Sequence, residues 1–522
     1  MHWVWATPPD EELRQLGRAL GDGDLPEGLD LVKSNRARSV WRLPGVGGGL
    51  IVKRFEVGPA EGWAFRLRPS RARREYRVMA DFCRRDLPTV RPVAYAERWD
   101  SGRLREAWFL GRLVPEARTL ADLLAESPPP ERPARVEAAL QVVSELHGHP
   151  YLHRDLHAGN LLAGSDGRLL ITDLHSVWRV PCLTHGMRVR NLAEFMFSLR
   201  QFVSLDDLAS LLRGYAQRHG MEWSRLTSDV ARAVDAYERD HVRGRSARCV
   251  RRSSQFTVER NEGARVFRQR SYPLELLFAD QHPEQEGETL GDAPRSLVRL
   301  VGDERGGRVI KHYRTRGLRS VLRQALGWGR GRSAWLGARR LAVLGIPTPE
   351  GLALVENPDG SAVLVTRSLR GAEPLREFML GLRSDTSPAR RQRVAWAVGH
   401  LFGSLARTGV QHHDLSSKNV MITEEPPIVP RDLRSALPEE GPTLHLIDLD
   451  NLRLTRPFSA TALTRMLGQL GDVPGWITRT DRLRFLRAYE QVAGRSLPGE
   501  VLARAGERTR RRQRRRAARA NG

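Results

Sequence analysis

The run His153-Arg154-Asp155-Leu156-His157-Ala158-Gly159-Asn160 has a close counterpart later in the chain, His412-His413-Asp414-Leu415-Ser416-Ser417-Lys418-Asn419. Each run precedes an apolar stretch that ends in aspartate, residues 169–173 in the first case and residues 444–448 in the second. Asp155 and Asp414 are 259 positions apart, as are Asn160 and Asn419. The repetition indicates two copies of one structural unit.

Other landmarks keep the register of the duplication. Pro88 and Pro347 are also 259 positions apart, and Lys53 and Lys311 are 258 apart. The offset rises to 275 at the aspartates that end the apolar stretches, because a Pro-rich insertion, residues 424–442, interrupts a predicted hairpin in copy two. A period this long is a repeated domain and not a solenoid unit, whose periods are roughly 20–50 residues.

The order of these residues is typical of kinase-fold phosphotransferases. In such enzymes an aspartate, an asparagine five residues later and an aspartate after a strand form the catalytic loop and metal site. We therefore expect an α+β chain of two tandem protein-kinase-like domains, each with a small β-rich N-lobe and a short, mainly helical C-lobe. The 522 residues suffice for both. The predicted divisions are an N-terminal extension (1–25), domain one (26–245), domain two (250–507) and an Arg-rich tail (508–522).

Hydrophobic periodicity gives the same plan in both copies. The elements predicted for copy one are strands at 29–33, 39–43, 50–55 and 107–113, and helices at 71–83, 119–126, 132–147, 191–201, 205–219 and 228–242. Those predicted for copy two are a hairpin of 256–260 with 264–268, strands at 297–301, 308–312 and 362–367, and helices at 332–344 and 392–408. The acidic stretch 280–294 is predicted to be a loop between strands.

Copy one carries the full set of residues that phosphoryl transfer requires. Asp155 is the candidate catalytic base, and Asn160 and Asp173 are candidate Mg²⁺ ligands with hard oxygen donors. Lys53 would contact the α- and β-phosphates of ATP, and Glu75 on the next helix would pair with Lys53. Each residue alone has an ordinary structural role, but five roles in the correct order, repeated downstream, favour the functional interpretation.

Copy two keeps four of these positions. Lys311 is the candidate phosphate contact, Asp414 the base, and Asn419 and Asp448 the metal ligands. No glutamate occurs between Glu304 and Glu350, so the helix partner of Lys311 is missing. Lys418 would either neutralise the transferring group or be a solvated side chain. Asp450 is interpreted as a strand-end acid rather than a second metal ligand.

The glycines at 45–49 do not form a Walker loop, because no helix follows them. They fit a hairpin turn before the Lys53 strand. The phosphate-covering loop would be residues 34–39, which lack the usual glycines.

The segments after Asp173 and Asp448 indicate the substrate class. They read Asp-Leu-His and Asp-Leu-Asp, and neither is followed by an Ala-Pro-Glu motif or by a long C-lobe. Short lobes without an activation segment suit a compact acceptor, such as a sugar or lipid headgroup. A protein Ser/Thr kinase is the alternative.

A family resemblance follows from three stretches. Residues 333–335 and 344–349, the loop 153–160, and Ile447-Asp448-Leu449-Asp450 resemble the lipopolysaccharide core kinases, which phosphorylate heptose or Kdo sugars of lipid A-core. The resemblance implies the two-lobed protein-kinase-like fold, ATP as donor, Mg²⁺ as cofactor and a sugar hydroxyl of an envelope glycolipid as acceptor. Two alternatives remain: an active copy one regulated by a pseudokinase copy two, and a binding protein on a kinase-like scaffold.

Composition bears on compartment and partners. The formal net charge is +24, and residues 508–519 contain eight arginines and no acid, which predicts a disordered, solvated tail. Such a tail also suits the anionic face of the inner membrane, with nucleic acid the less favoured partner. We find no signal-peptide pattern, no apolar run near 18 residues and three scattered cysteines, so we expect a cytoplasmic protein, peripheral to that membrane at most.

Overall fold

The computed structural model describes residues 1–35, 38–58, 61–200, 202–203, 205–280, 287–302, 307–315, 317–382, 388–424, 442–454, 459–470 and 478–520. Two compact units divide the chain, Met1–Arg239 and Asp240–Gly522. No helix among the described residues combines the length and apolar character needed to cross a bilayer.

The N-lobe of unit one is an antiparallel sheet with two helices. Its six strands run in the order β1-β5-β6-β4-β3-β2. The elements are β1 (His2–Trp5), α1 (Glu11–Asp22), β2 (Asp30–Asn35), β3 (Arg38–Leu43), β4 (Leu50–Glu56), α2 (Arg71–Arg84), β5 (Pro92–Asp100) and β6 (Arg103–Arg112). β4 lies between β6 and β3, with Lys53 opposite Phe109 of β6, so an interior strand of the sheet carries the lysine.

The C-lobe of unit one is mainly helical, as the sequence predicts. Its helices are α3 (Leu120–Glu126), α4 (Arg132–Gly148), α5 (His185–Leu199), α6 (Leu205–Arg218) and α7 (Trp223–Ser246), of which residues 240–246 are counted with unit two. Short strands frame the catalytic loop: β7 (Arg118–Thr119), β8 (Tyr151–His153), β9 (Leu161–Ala163), β10 (Leu169–Ile171) and β11 (Val177–Arg179). A single apolar cluster includes Val136 and Leu140 of α4, Ile171 of β10 and Phe195 of α5. The catalytic loop contributes Leu156 and Ala158 to the same cluster, so it packs on the core of the lobe.

Unit two repeats this plan with a seven-stranded sheet, in the order β12-β13-β17-β18-β16-β15-β14. Its N-lobe elements are β12 (Phe256–Asn261), β13 (Ala264–Gln269), α8 (Leu274–Asp280), β14 (Glu288–Ala293), β15 (Ser296–Val301), β16 (Arg308–Tyr313), α9 (Leu318–Ala325), α10 (Arg330–Val343), β17 (Gly351–Glu356) and β18 (Ala362–Arg367). The predicted β12–β13 hairpin is present, and the strands predicted at 297–301 and 308–312 pair with each other as β15 and β16.

The C-lobe of unit two also consists of helices around short strands. The helices are α11 (Leu375–Gly381), α12 (Pro388–Thr408), α13 (Ala460–Leu470), α14 (Arg479–Ala493) and α15 (Gly499–Ala520). The strands are β19 (Glu373–Pro374), β20 (Val410–His412), β21 (Val420–Thr423), β22 (Thr443–Leu446) and β23 (Leu452–Leu454). β21 and β22 pair antiparallel, with Thr423 opposite Thr443, so they form the predicted hairpin around the insertion. The insertion itself lies outside the described residues, apart from its two ends.

The structure differs from the sequence-based expectations in three segments. Residues 288–293, predicted as loop, form β14. All six residues are exposed, so no apolar alternation marked the strand. Residues 2–5, in the predicted extension, form β1, which pairs with β5 in the sheet. Residues 508–520, predicted to be disordered, continue α15, whose Val501 and Ala505 are buried, and alanine and arginine both favour helix.

Candidate active site

Lys53, Glu75 and Asp173 meet in one buried ion-pair network in unit one. The Lys53 Nζ donates hydrogen bonds to Glu75 Oε1 at 2.6 Å and to Asp173 Oδ1 at 2.9 Å. The Glu75 side chain is fully buried, and Asp173 is 16% exposed. β4, α2 and the end of β10 each supply one residue of the network. Three of the residues singled out from the sequence are therefore in direct contact.

The charges in this network stabilise one another. Burial acts to lower the pKa of the Lys53 ammonium, but Glu75 and Asp173 outweigh burial and raise that pKa above its ordinary value. Burial acts to raise the pKa of the Asp173 carboxyl, but Lys53 and Arg38 hold it well below its usual range. Burial raises the pKa of Glu75, against the attraction of Lys53. Lys53 and Asp173 therefore carry full charges at neutral pH.

Arg38 also contacts Asp173, which the sequence reasoning did not predict. Its Nη1 donates to both carboxylate oxygens, at 2.8 and 2.9 Å. Arg38 begins β3 and belongs to the segment predicted to cover the phosphates; residues 36 and 37 of that segment lie outside the described residues. The sequence feature that could have indicated this contact is the presence of a basic residue in the segment 34–39. Asp173 itself has a left-handed backbone with φ of 57°.

The catalytic loop is fixed through His153. The backbone N–H of Asp155 donates to His153 Nδ1 at 3.2 Å, so the proton resides on Nε2, which donates to the Thr172 carbonyl at 3.1 Å. Burial lowers the pKa of His153 to about 4, so the ring is neutral. The Asp155 side chain is 57% exposed. The loop therefore presents the candidate base to solvent on a rigid support.

Asn160 and Asp173 suit a divalent cation by their chemistry. The Asn160 Nδ2 donates to the Asp155 carbonyl at 2.8 Å, which leaves the amide oxygen as the group for a cation. Mg²⁺ prefers such hard oxygen ligands. A second group of potential ligands among the described residues is Glu75, Asp173 and His175. Asp173 is common to both sets, but Glu75 is bonded to the Lys53 ammonium, whereas the amide oxygen of Asn160 is not engaged by the bond to Asp155.

Glu194 of α5 stabilises the catalytic loop through a hydrogen bond to its backbone, a role that the sequence did not predict. It accepts the backbone N–H of Leu156, next to Asp155, and the Tyr237 hydroxyl at 3.1 Å. Burial, together with the charge of Asp155, raises the pKa of Glu194 to about 7. The available signal was a glutamate between the buried residues Ala193 and Phe195 of α5.

Unit two reproduces the loop and the lysine–aspartate contact. The Lys311 Nζ donates to Asp448 Oδ1, and Asp448 is left-handed with φ of 60°. The Asp414 N–H donates to His412 Nδ1 at 3.3 Å. The Asn419 Nδ2 donates to the Asp414 carbonyl at 2.8 Å. The predicted set of copy two thus occupies the same places in its own unit.

The surroundings of Lys311 differ from those of Lys53. Ala334 occupies the turn of α10 that corresponds to Glu75 on α2. Arg330, at the start of α10, donates to Asp450 at 2.6 Å, so Asp450 is an ion-pair partner with a fully buried side chain. Burial and Asp448 raise the pKa of Asp450. Lys418 is exposed.

The residue under the loop also differs between the units. In unit two, Gln469 accepts the backbone N–H of Leu415 at 3.1 Å and donates to the His413 carbonyl at 2.7 Å. Leu415 corresponds to Leu156, so Gln469 holds the place of Glu194. The backbone of the catalytic loop therefore bonds to a carboxyl group in unit one and to a side-chain amide in unit two.

Comparison with known proteins identifies relatives at the level of a family. The model of the lipopolysaccharide kinase (Kdo/WaaP) family matches residues 60–215 and 284–489, which together are more than half of the chain. A solved structure described as WaaP in complex with acyl carrier protein is 21% identical, with 47% of this chain and 98% of that chain covered and a TM-score of 0.34. No curated protein matches the chain.

Proposed function

The chain belongs to the lipopolysaccharide kinase (Kdo/WaaP) family, matched in both of its repeats, and from this membership we propose that it phosphorylates a sugar hydroxyl of a lipopolysaccharide-core or related envelope glycolipid, with ATP as donor. The family indicates a phosphotransferase of the protein-kinase-like fold. The acceptor class rests on the family and on the sequence, which has no Ala-Pro-Glu motif and no long C-lobe after Asp173 or Asp448. The observations that carry the proposal for unit one are the buried Lys53–Glu75–Asp173 network and the exposed Asp155 on the catalytic loop.

In this proposal each candidate residue of unit one has a separate role in phosphoryl transfer. The acceptor hydroxyl oxygen bonds to the γ-phosphorus while the bond from that phosphorus to the β–γ bridging oxygen breaks, and ADP leaves. Asp155 orients the hydroxyl and receives its proton. Lys53, held by Glu75, positions the α- and β-phosphates. Asn160 and Asp173 would hold Mg²⁺, which neutralises charge on the phosphates when bound.

A titration of ATP in the presence of Mg²⁺ tests the proposal and locates the working unit. The proteins are wild type, Asp173→Ala and Asp448→Ala. Loss of Mg²⁺-dependent binding in one variant assigns the site to that unit, and partial loss in each assigns two sites. Phosphate transfer to lipid A-core sugars by wild type, and not by Asp155→Asn, would support the reaction. Absence of ATP binding by wild type contradicts the proposal and favours a scaffold.

The absence of a glutamate partner for Lys311 favours a second candidate, in which unit two regulates unit one. The α10 helix offers Ala334 where α2 offers Glu75, while Arg330 is committed to Asp450. In kinases the lysine–glutamate pair must be in place for turnover. Turnover that survives Asp414→Asn but not Asp155→Asn supports a regulatory unit two. Equal losses in both variants contradict it.

The proposed location is the cytoplasm, where ATP and Mg²⁺ are supplied, with peripheral contact to the anionic inner membrane. The arginines of α15 are suited to that contact, since each basic residue near anionic lipid contributes about 1 kcal/mol. A release of bound protein from anionic vesicles by added salt is the expected behaviour.

A further inference from the structure

The helix α9 of unit two exposes an unusual amount of apolar surface. Leu318 is 87% exposed, Leu322 61%, Leu326 53% and Trp328 63%. The three leucines recur every four residues, so they form one stripe along the helix and the turn that follows it. Scattered exposed leucines are normal on proteins, but a contiguous stripe that ends in tryptophan marks an interaction surface.

The orientation of α9 is fixed by contacts that Val321 and Gln324 make with the turn between β17 and β18. The Gln324 side-chain nitrogen donates to the Asn357 carbonyl at 2.5 Å, between β17 and β18. Gly360, in the same turn, lies against the backbone of Val321. The helix ends at Ala325, and Gly327, with a φ of 78°, then turns the chain toward Trp328. The helix therefore shows its leucines to solvent in a defined arrangement.

Charge next to the stripe identifies the partner's chemistry. Arg319 and Arg323 are exposed on the same helix, and neither is paired with a carboxylate among the residues that the structure describes. The sequence between Glu304 and Glu350 contains no aspartate or glutamate. Leucine and tryptophan beside unpaired arginines match a surface that is apolar inside and anionic outside, which is the headgroup boundary of an anionic bilayer.

Unit one carries the same kind of surface at the same place in its own fold. Between β4 and α2, Trp63 is 49% and Leu67 96% exposed, and the Arg66 guanidinium lies 4.6 Å from the centre of the Trp63 ring. Leu67 and Leu318 are the two most exposed large apolar side chains in the described part of the chain. The segment after the lysine strand is thus apolar and basic in both repeats.

We propose that α9, with Trp328, inserts its leucine stripe into the headgroup boundary of an anionic lipid bilayer, and that residues 63–68 are its counterpart in unit one. The arginines contact lipid phosphates, while the leucines and the tryptophan enter the acyl boundary. This surface is distinct from the Arg-rich end of α15. Membrane contact through α9 does not depend on catalysis, so its test is independent of the proposed kinase activity.

The test is flotation of the full chain with vesicles of phosphatidylglycerol and phosphatidylethanolamine. Leu318→Ser/Leu322→Ser is compared with wild type and with a matched control, Leu290→Ser/Leu483→Ser, which changes leucines 53% and 49% exposed elsewhere in unit two. We expect the vesicle–water partition coefficient of the α9 variant to be at least about tenfold lower than that of wild type. Transfer of a single leucine side chain from water into the bilayer accounts for a factor of about that size. The control should bind like wild type. All proteins keep α15 and should melt like wild type, because the changed leucines are exposed.

Two further measurements sharpen the outcome. Vesicles should shift the tryptophan emission of wild type to shorter wavelength, and Trp328→Phe should reduce that shift. Vesicles of phosphatidylcholine alone should bind at least tenfold less protein, because they lack net negative charge. Equal flotation of wild type and the α9 variant would overturn the proposal. So would leucine-dependent self-association of wild type without vesicle binding, which would make a second copy the occupant.

Discussion

The buried pair of Lys53 and Glu75 gives the sharpest prediction about unit one. At 2.6 Å and an effective dielectric constant of about 20, Coulomb's law gives an attraction of about 6 kcal/mol. Burial of Glu75 offsets part of this, and Asp173, which lies 2.9 Å from the ammonium, is a second carboxylate that can compensate its charge when Glu75 is neutralised. Glu75→Gln should therefore lower the unfolding free energy by about 2–3 kcal/mol, less than the roughly 3–5 kcal/mol for leaving a buried charge alone.

Calorimetry and ATP titration together check this prediction. For a unit of this size the destabilisation corresponds to a decrease of about 5–10 °C in melting temperature. Because Lys53 then lacks one of the two carboxylates that position it, Glu75→Gln should also lower ATP affinity in unit one. Glu106→Gln is the matched control: Glu106 is buried in the same sheet and pairs with Arg54 and Arg98, both at 2.8 Å. It should lose stability and keep ATP affinity. Wild-type ATP affinity in Glu75→Gln would refute the role assigned to the pair.

Three further predictions concern the same unit. Glu194, whose pKa is raised from 4.5 to about 7, contributes stability that is present below pH 4.5 and is lost as pH rises through about 7; Glu194→Gln should flatten the pH profile of melting temperature over that window. Arg38→Gln should lower the Mg²⁺ concentration needed for half-maximal ATP binding, because it removes the guanidinium that competes with Mg²⁺ for the Asp173 carboxylate. An unchanged Mg²⁺ requirement would contradict this. His153→Phe should cut turnover at least about tenfold with ATP affinity kept, because the Asp155 N–H loses its acceptor. Turnover assays and ATP titrations of that variant separate the two effects.

The sequence predicted those features of unit one that depend on local spacing. Lys53, Glu75 and Asp173 were singled out from motif order alone, and they are in contact. The two-lobed plan and the β12–β13 hairpin also follow from periodicity and turn residues. These features need no knowledge of which distant segments touch.

Features that depend on tertiary contact were not predictable in the same way. The role of Glu194 becomes visible only when α5 packs under the catalytic loop. The strand β14 escaped detection because all its residues are exposed, and β1 because it is four residues long. The tail was predicted to be disordered because of its many arginines. It is instead the end of α15, and the buried Val501 and Ala505 pack the first half of that helix against the protein.

The hairpin of β21 and β22 has a practical consequence for work on this protein. In unit one residues 164–168 alone connect the matching strands β9 and β10, whereas in unit two the pairing of Thr423 with Thr443 is kept around the long insertion. The entropy cost of a loop grows only slowly with its length, so the register tolerates such additions. An affinity tag or a fluorescent label placed between these threonines would report on unit two without altering either catalytic loop.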